Sequence, residues 1–119
     1  MWWGIAVEAP DPLALATFYS ALLGWSVVAE DNGSLILAAP EGRIYLVLQP
    51  ATDYERPTWP TQPASQRPMM HLEFQVGDLE AAVDEAVSLG ACIADEQPNS
   101  TVRVLLDPAG HPFCLSVND

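Results

Sequence analysis

Two stretches of this 119-residue chain repeat one another, and a duplication constrains the fold more tightly than any other feature of the sequence. Ile5-Ala6-Val7-Glu8-Ala9-Pro10-Asp11-Pro12-Leu13-Ala14 reads as a strand, an aspartate and the start of a helix. Leu72-Glu73-Phe74-Gln75-Val76-Gly77-Asp78-Leu79-Glu80-Ala81 has the same order. Asp78 follows Asp11 by 67 residues, Gly90 follows Gly24 by 66, and Gly110 follows Gly42 by 68. Three landmarks at nearly one spacing mark two copies of one structural unit.

Each copy carries helix start and stop signals. Asp11 and Asp78 suit the N-cap, Pro12 suits the first helical position where its missing N–H costs nothing, and Gly24 and Gly90 suit a left-handed helix end. Leu15, Phe18, Tyr19 and Leu22 recur at helical spacing in the first copy, as do Leu79, Ala82, Val83 and Ala86 in the second. Short apolar runs follow each helix: Ser26 to Val28, Ser34 to Leu37 and Ile44 to Leu48, then Ala91 to Ile93, Val102 to Leu106 and Phe113 to Val117. Each half therefore reads βαβββ. The modules span about 1–49 and 69–119 of one domain, and a proline-stiffened linker, 50–68, joins them.

Composition removes whole classes of function. Sixteen acidic residues face four arginines and no lysine, a formal net charge of -12. Phosphate backbones and anionic lipid surfaces need a basic stripe, so nucleic acid and membrane are excluded as partners. The missing lysine removes Schiff-base chemistry and a Walker-type phosphate site. Half the residues are hydrophobic and 17% charged, which suits a folded soluble chain. No apolar run approaches a bilayer span and Met1-Trp2-Trp3 opens no signal peptide, so the expected location is cytoplasmic. Cys92 and Cys114 match no zinc spacing and read first as buried thiols.

Two motifs carry a family resemblance. Phe18-Tyr19-Ser20-Ala21-Leu22-Leu23-Gly24-Trp25 resembles the helix end of the vicinal oxygen chelate superfamily, which includes glyoxalase I, bleomycin-resistance proteins and extradiol dioxygenases. Asp107-Pro108-Ala109-Gly110-His111-Pro112-Phe113 resembles the turn before that fold's last strand. The likeness covers nearly the whole chain and is nearest to small, unassigned glyoxalase-like proteins. It implies an α+β fold of two βαβββ modules whose curled mixed sheets form a cup for a small-molecule ligand, and it implies a homodimer. Function does not follow from the fold, since the superfamily holds lyases, epimerases, dioxygenases and pure binders.

Strand alternation then assigns side chains to that cup. With Leu72, Phe74 and Val76 against the helix, His71, Glu73 and Gln75 point into the cup. Gly4, Ala6 and Glu8 do so from the first module, Cys114 and Ser116 from the last strand, and Leu46 and Leu48 from its counterpart. Metal-dependent relatives place ligands on the first and last strands of each module. The resemblance maps these positions onto His71 and Gly4, and onto Cys114 and Leu46. Glycine and leucine coordinate nothing, so no metal cofactor is expected; a divalent ion at His71 requires a degenerate site completed by Glu73, Glu8 or a dimer partner.

His71 and Glu73 are the candidate catalytic pair, because a carboxylate two residues along the same strand face is the partner an imidazole needs for proton transfer. His71 also reads as a ligand-binding or a hydrogen-bonded structural residue. Cys114 reads as a cup residue or as a thiol activated by His71. His111 reads as a turn residue. Tyr45 and Trp59, with Trp25 and Met70, supply aromatic and soft walls or plain packing, and Trp59 in the stiff linker is the expected lid. The sequence thus favours a small-molecule-binding glyoxalase-like protein with an incomplete metal site. The alternatives are a glyoxalase-type lyase or isomerase, working through a degenerate metal site or the His71/Glu73 pair, and an interaction module whose acidic surface meets a basic partner.

Overall fold

A computed structural model describes residues 1–60 and 62–117; Thr61 of the predicted linker and the terminal Asn118 and Asp119 lie outside the described residues. The chain divides into two compact units, Met1–Tyr54 and Glu55–Asp119. The secondary structure is α+β with the βαβββ order twice, as the repeat requires. Among the described residues no helix is long and apolar enough to cross a membrane.

The first unit runs β1 (Trp3–Ala9), α1 (Pro12–Leu23), β2 (Ser26–Asp31), β3 (Ser34–Ala38) and β4 (Ile44–Pro50). Its helix begins where Asp11 accepts a hydrogen bond from the Ala14 amide at 3.2 Å, and it stops at Gly24, whose φ of 71° a β-carbon would disfavour. The sheet order is β1-β4-β3-β2, with β1 parallel to β4 and the remaining pairs antiparallel. Leu15, Ala16, Phe18 and Tyr19 form the buried stripe of α1. Leu35, Leu37, Leu46 and Leu48 form the buried face of the sheet that this helix packs on. Each such large side chain contributes about 1.5–3 kcal/mol by leaving water.

The second unit repeats the plan with β5 (Leu72–Gln75), α2 (Leu79–Ser88), β6 (Cys92–Ile93), β7 (Val102–Leu106) and β8 (Pro112–Ser116). Asp78 caps α2 through the Ala81 amide at 3.1 Å, and Gly90 just beyond it has φ of 119°. The sheet order is β5-β8-β7-β6, again with the outer pair β5 and β8 parallel. Phe113 and Leu115 are buried on the helix side. The β6–β7 ladder has only two residue pairs, Cys92 with Leu106 and Ile93 with Leu105. The Gln97 side chain extends it: its amide nitrogen donates to the carbonyls of Ala94 and Val104 at 2.8 and 2.9 Å, and its oxygen accepts from the Val104 amide at 2.8 Å.

The predicted linker divides between the units. Pro50 closes β4, and the chain beyond it stays tied to the first sheet by the Ala51 amide on the Ala9 carbonyl at 3.1 Å. From Glu55 onward it belongs to the second unit. There the Thr58 amide bonds the Gln66 carbonyl at 3.0 Å, and Arg56 reaches the Pro108 carbonyl with Nη1 at 3.3 Å. The strap thus rests on the turn Asp107–Pro112. That turn is organised by Asp107, which is 1% exposed and accepts from the amides of Ala109 and His111 at 2.9 and 3.0 Å. His111 lies in this turn, its amide and carbonyl both bonded to Asp107.

Candidate functional site

The open face of the second sheet, away from α2, collects most of the residues singled out in the sequence. Alternation along β5 leaves Glu73 and Gln75 exposed between the half-buried Leu72 and Phe74. Strand β8 pairs in register, setting Cys114 beside Glu73 and Ser116 beside Gln75. On the other side of β8, Val104 of β7 pairs with Cys114 and Val102 with Ser116. Ala94, Val104 and Cys114 make a small buried apolar floor, and Trp59 packs against it with Val102. Trp59, the strap residue expected as a lid, and the floor it packs against belong to the same unit.

His71 stands just before β5. Its Nε2 lies 3.1 Å from Glu73 Oε2, and its ring meets Trp59 edge-on, with centroids 5.7 Å apart and planes 70° apart. The imidazole thus sits between an indole and a carboxylate. The His71 side chain is 32% exposed and that of Glu73 67%, so the pair faces solvent while the Cys114 thiol next to it is buried. Burial first, and the Glu73 carboxylate second, push the Cys114 thiol above the usual thiol range. Cys114 is a neutral thiol, the opposite of the activation a nucleophile needs. The strap adds a polar atom: Thr58 Oγ1, next to Trp59 in sequence, is buried with no hydrogen-bond partner among the described residues. Met70 lies outside any such wall, 77% exposed.

The first unit's open face is built by the same alternation. Gly4, Ala6 and Glu8 are exposed and pair in register with Tyr45, Val47 and Gln49. Leu46 and Leu48, assigned to this face from the sequence, lie on the opposite one. They pair with Ile5 and Val7, and at 3% and 0% exposed they belong to the core under α1. The parallel register makes Leu46 the counterpart of Phe113, so the counterpart of Cys114 is Val47. The turn glycines, 68 residues apart, misled the count by one, and one residue reverses a strand's faces. Trp2 was missed altogether: its ring packs on Tyr45 with centroids 4.9 Å apart at 85°. Gly4 sits below that pair, where a β-carbon would come within 3.1 Å of the Tyr45 carbonyl oxygen and 3.6 Å of the Trp2 ring. Extending the alternation two residues back from Gly4 would have found it.

The comparisons give this geometry its family. A model of the glyoxalase-like domain matches residues 4–116. The chain belongs to the glyoxalase-like domain family. Among solved structures this glyoxalase-like domain is similar to a glyoxalase/bleomycin resistance protein/dioxygenase family enzyme from Burkholderia phytofirmans PsJN, at 16% identity and a TM-score of 0.72 over 96% of this chain and 95% of that one. A glyoxalase-related enzyme from Fulvimarina pelagi is 18% identical with a TM-score of 0.69, covering 99% and 88%. TnmS3, an antibiotic binding protein from Streptomyces sp. CB03234, is 17% identical with a TM-score of 0.65, covering 100% and 96%. With the family match over residues 4–116, these likenesses of fold support the vicinal oxygen chelate superfamily. Curated proteins gave no significant match.

The residues at the superfamily's metal positions do not fit a metal ion. In the first unit those positions hold Gly4 and Val47, which carry no donor atoms. In the second they hold His71, in contact with Glu73, and the buried Cys114, so two donor side chains stand at four positions. Among the described residues no three His, Cys, Asp or Glu side chains gather in a group that would hold a metal.

Proposed function

We propose that this glyoxalase-like protein binds a small molecule on the open face of its second sheet without a metal ion. The observation that carries the reading is Trp59, packed by the strap against the Ala94, Val104 and Cys114 floor beside the His71–Glu73 pair. An apolar floor, an aromatic wall and a few convergent polar groups are the usual make-up of a small-molecule site. Gln75 and Ser116 extend the polar edge of this face, and Glu8 and Tyr45 are proposed separately as ligand contacts on the first unit's own open face. TnmS3, on the same fold, is an antibiotic binding protein, which supports ligand binding as a function this scaffold performs. The expected assembly is a homodimer, to be checked by sedimentation.

The test is a ligand-observed NMR titration with 2-naphthylmethanol, a neutral planar probe. Saturable binding that is lost in Trp59→Ala supports the reading; binding indifferent to Trp59→Ala, or no saturable binding of this probe or of its ammonium and carboxylate analogues, overturns it. The metal-free part is tested by melting chelator-treated protein with Zn, Ni, Mn, Co and Fe(II) ions added singly, because an ion bound only by the native state raises the melting temperature. A saturable rise lost in His71→Ala would refute it.

One observation favours a second reading. The 3.1 Å His71–Glu73 contact is the geometry of an acid–base pair, which suits a lyase or isomerase moving a proton next to a carbonyl. In that case Glu73→Gln retains ligand binding and loses turnover.

A further inference from the structure

The open face of the second sheet combines an indole, a solvent-facing carboxylate and a neutral floor, and these select among ligands by charge. Glu73 pairs in register with Cys114, Cys114 belongs to the floor under Trp59, and Trp59 touches the imidazole that Glu73 holds. The carboxylate and the indole thus flank one small patch. Two of the three arginines of this unit are engaged elsewhere: Arg56 bonds the Pro108 carbonyl, and Arg103 bonds the carbonyls of Asn99 and Val102; the third, Arg67, is exposed.

A molecule that covers this patch strips water from the Glu73 carboxylate. A neutral occupant leaves that charge with the His71 contact alone and an anionic one adds repulsion, on a chain whose net charge is already -12. A cation replaces the lost water and is attracted to the electron-rich face of an indole. The geometry points to a planar aromatic ligand bearing a positive charge, its ring against Trp59 and its charge toward Glu73. This rests on the reading of the same face as a binding site, and extends it to the ligand's chemical class.

Three probes sharing one ring system separate the class from the site: 2-naphthylmethylammonium, 2-naphthylmethanol and 2-naphthoate, titrated at one ionic strength into the wild type, Glu73→Gln, Trp59→Ala and Glu80→Gln. The wild type is expected to bind the ammonium probe about three- to tenfold more tightly than the alcohol, the range of an exposed ion pair with a cation–π contact, and the carboxylate probe least. Glu73→Gln should erase the ammonium probe's advantage, by weakening that probe and relieving the desolvation cost the alcohol bears. Trp59→Ala should weaken all three. Glu80→Gln, which removes an equal charge from the first turn of α2, should keep the advantage. Equal binding of ammonium and alcohol, an advantage that survives Glu73→Gln, or one lost equally in Glu80→Gln overturns the charge selection while the site stands. Failure of every probe to bind saturably, or binding unaffected by Trp59→Ala, overturns the site itself.

Discussion

Glu73 and Cys114 are register partners on the parallel strands β5 and β8, and the carboxylate adds to burial in keeping the thiol protonated. The folded chain therefore holds this proton more tightly than the unfolded chain. The associated stability is intact below the unfolded thiol's value, about 8.5, and is lost as pH rises through the higher folded value. Urea midpoints should fall between pH 8 and 10.5 in the wild type, and fall less in Cys114→Ala. Alkylation gives a second measure. Exposed Cys92 should react with iodoacetamide at ordinary thiol pH, whereas Cys114 should lag and need a higher pH. Glu73→Gln should bring the Cys114 midpoint part of the way down, since the larger cause, burial, remains.

Gly110 and Arg56 join the strap to the turn. Gly110 has φ of 92°, and a β-carbon there would overlap the Arg56 side chain at Cγ. Gly110→Ala should cost about 1–3 kcal/mol, mostly from the left-handed backbone, because an exposed arginine stem can move aside. Arg56→Ala removes only an exposed hydrogen bond of 3.3 Å and should cost under about 1 kcal/mol. Both variants should shift the Trp59 resonance in 5-fluorotryptophan-labelled protein, assigned with Trp59→Phe. In the double variant the steric part of the Gly110→Ala loss should disappear and the backbone part remain. A Trp59 resonance that stays put in both single variants would mean that the turn does not hold the strap.

The duplicated aspartates allow a test of equivalence. Asp11 and Asp78 accept from the amides of Ala14 and Ala81 at 3.2 and 3.1 Å, so each alanine variant should lose about 1 kcal/mol in urea unfolding. A marked difference between them would show that the two caps are not doing the same job.

The pattern of strands and caps was legible because it depends on local chemistry. Asp, Pro and Gly occupy backbone positions that few residues suit, and alternation separates His71, Glu73 and Gln75 from Leu72 and Phe74 without reference to the rest of the chain. Trp59 stood out as a large aromatic on a proline-stiffened segment, and its packing on Ala94, Val104 and Cys114 needed the structure. What the sequence concealed is register between strands far apart in the chain. The strap's attachment depends on Arg56 meeting a turn some fifty residues later, and the faces of β4 depend on its pairing with β1. Neither pairing leaves a local signature, and the slip from 66 to 68 in the repeat spacing hid the second.

That register is open to a direct test on neighbouring residues. Leu46 is 3% exposed beneath α1, whereas Val47, the true counterpart of Cys114, is half-buried on the open face with Ala6. Leu46→Glu would put an unpaired carboxylate into the core and remove a large apolar side chain, a loss of about 3–5 kcal/mol that leaves little of a small unit's stability. Val47→Glu places the same group where water can reach it and should cost under about 1.5 kcal/mol, mainly from the lost apolar contact. Urea unfolding of the two variants decides the matter. If Val47→Glu is the more damaging, β4 pairs one residue out of the register described, and Leu46 returns to the open face as the counterpart of Cys114.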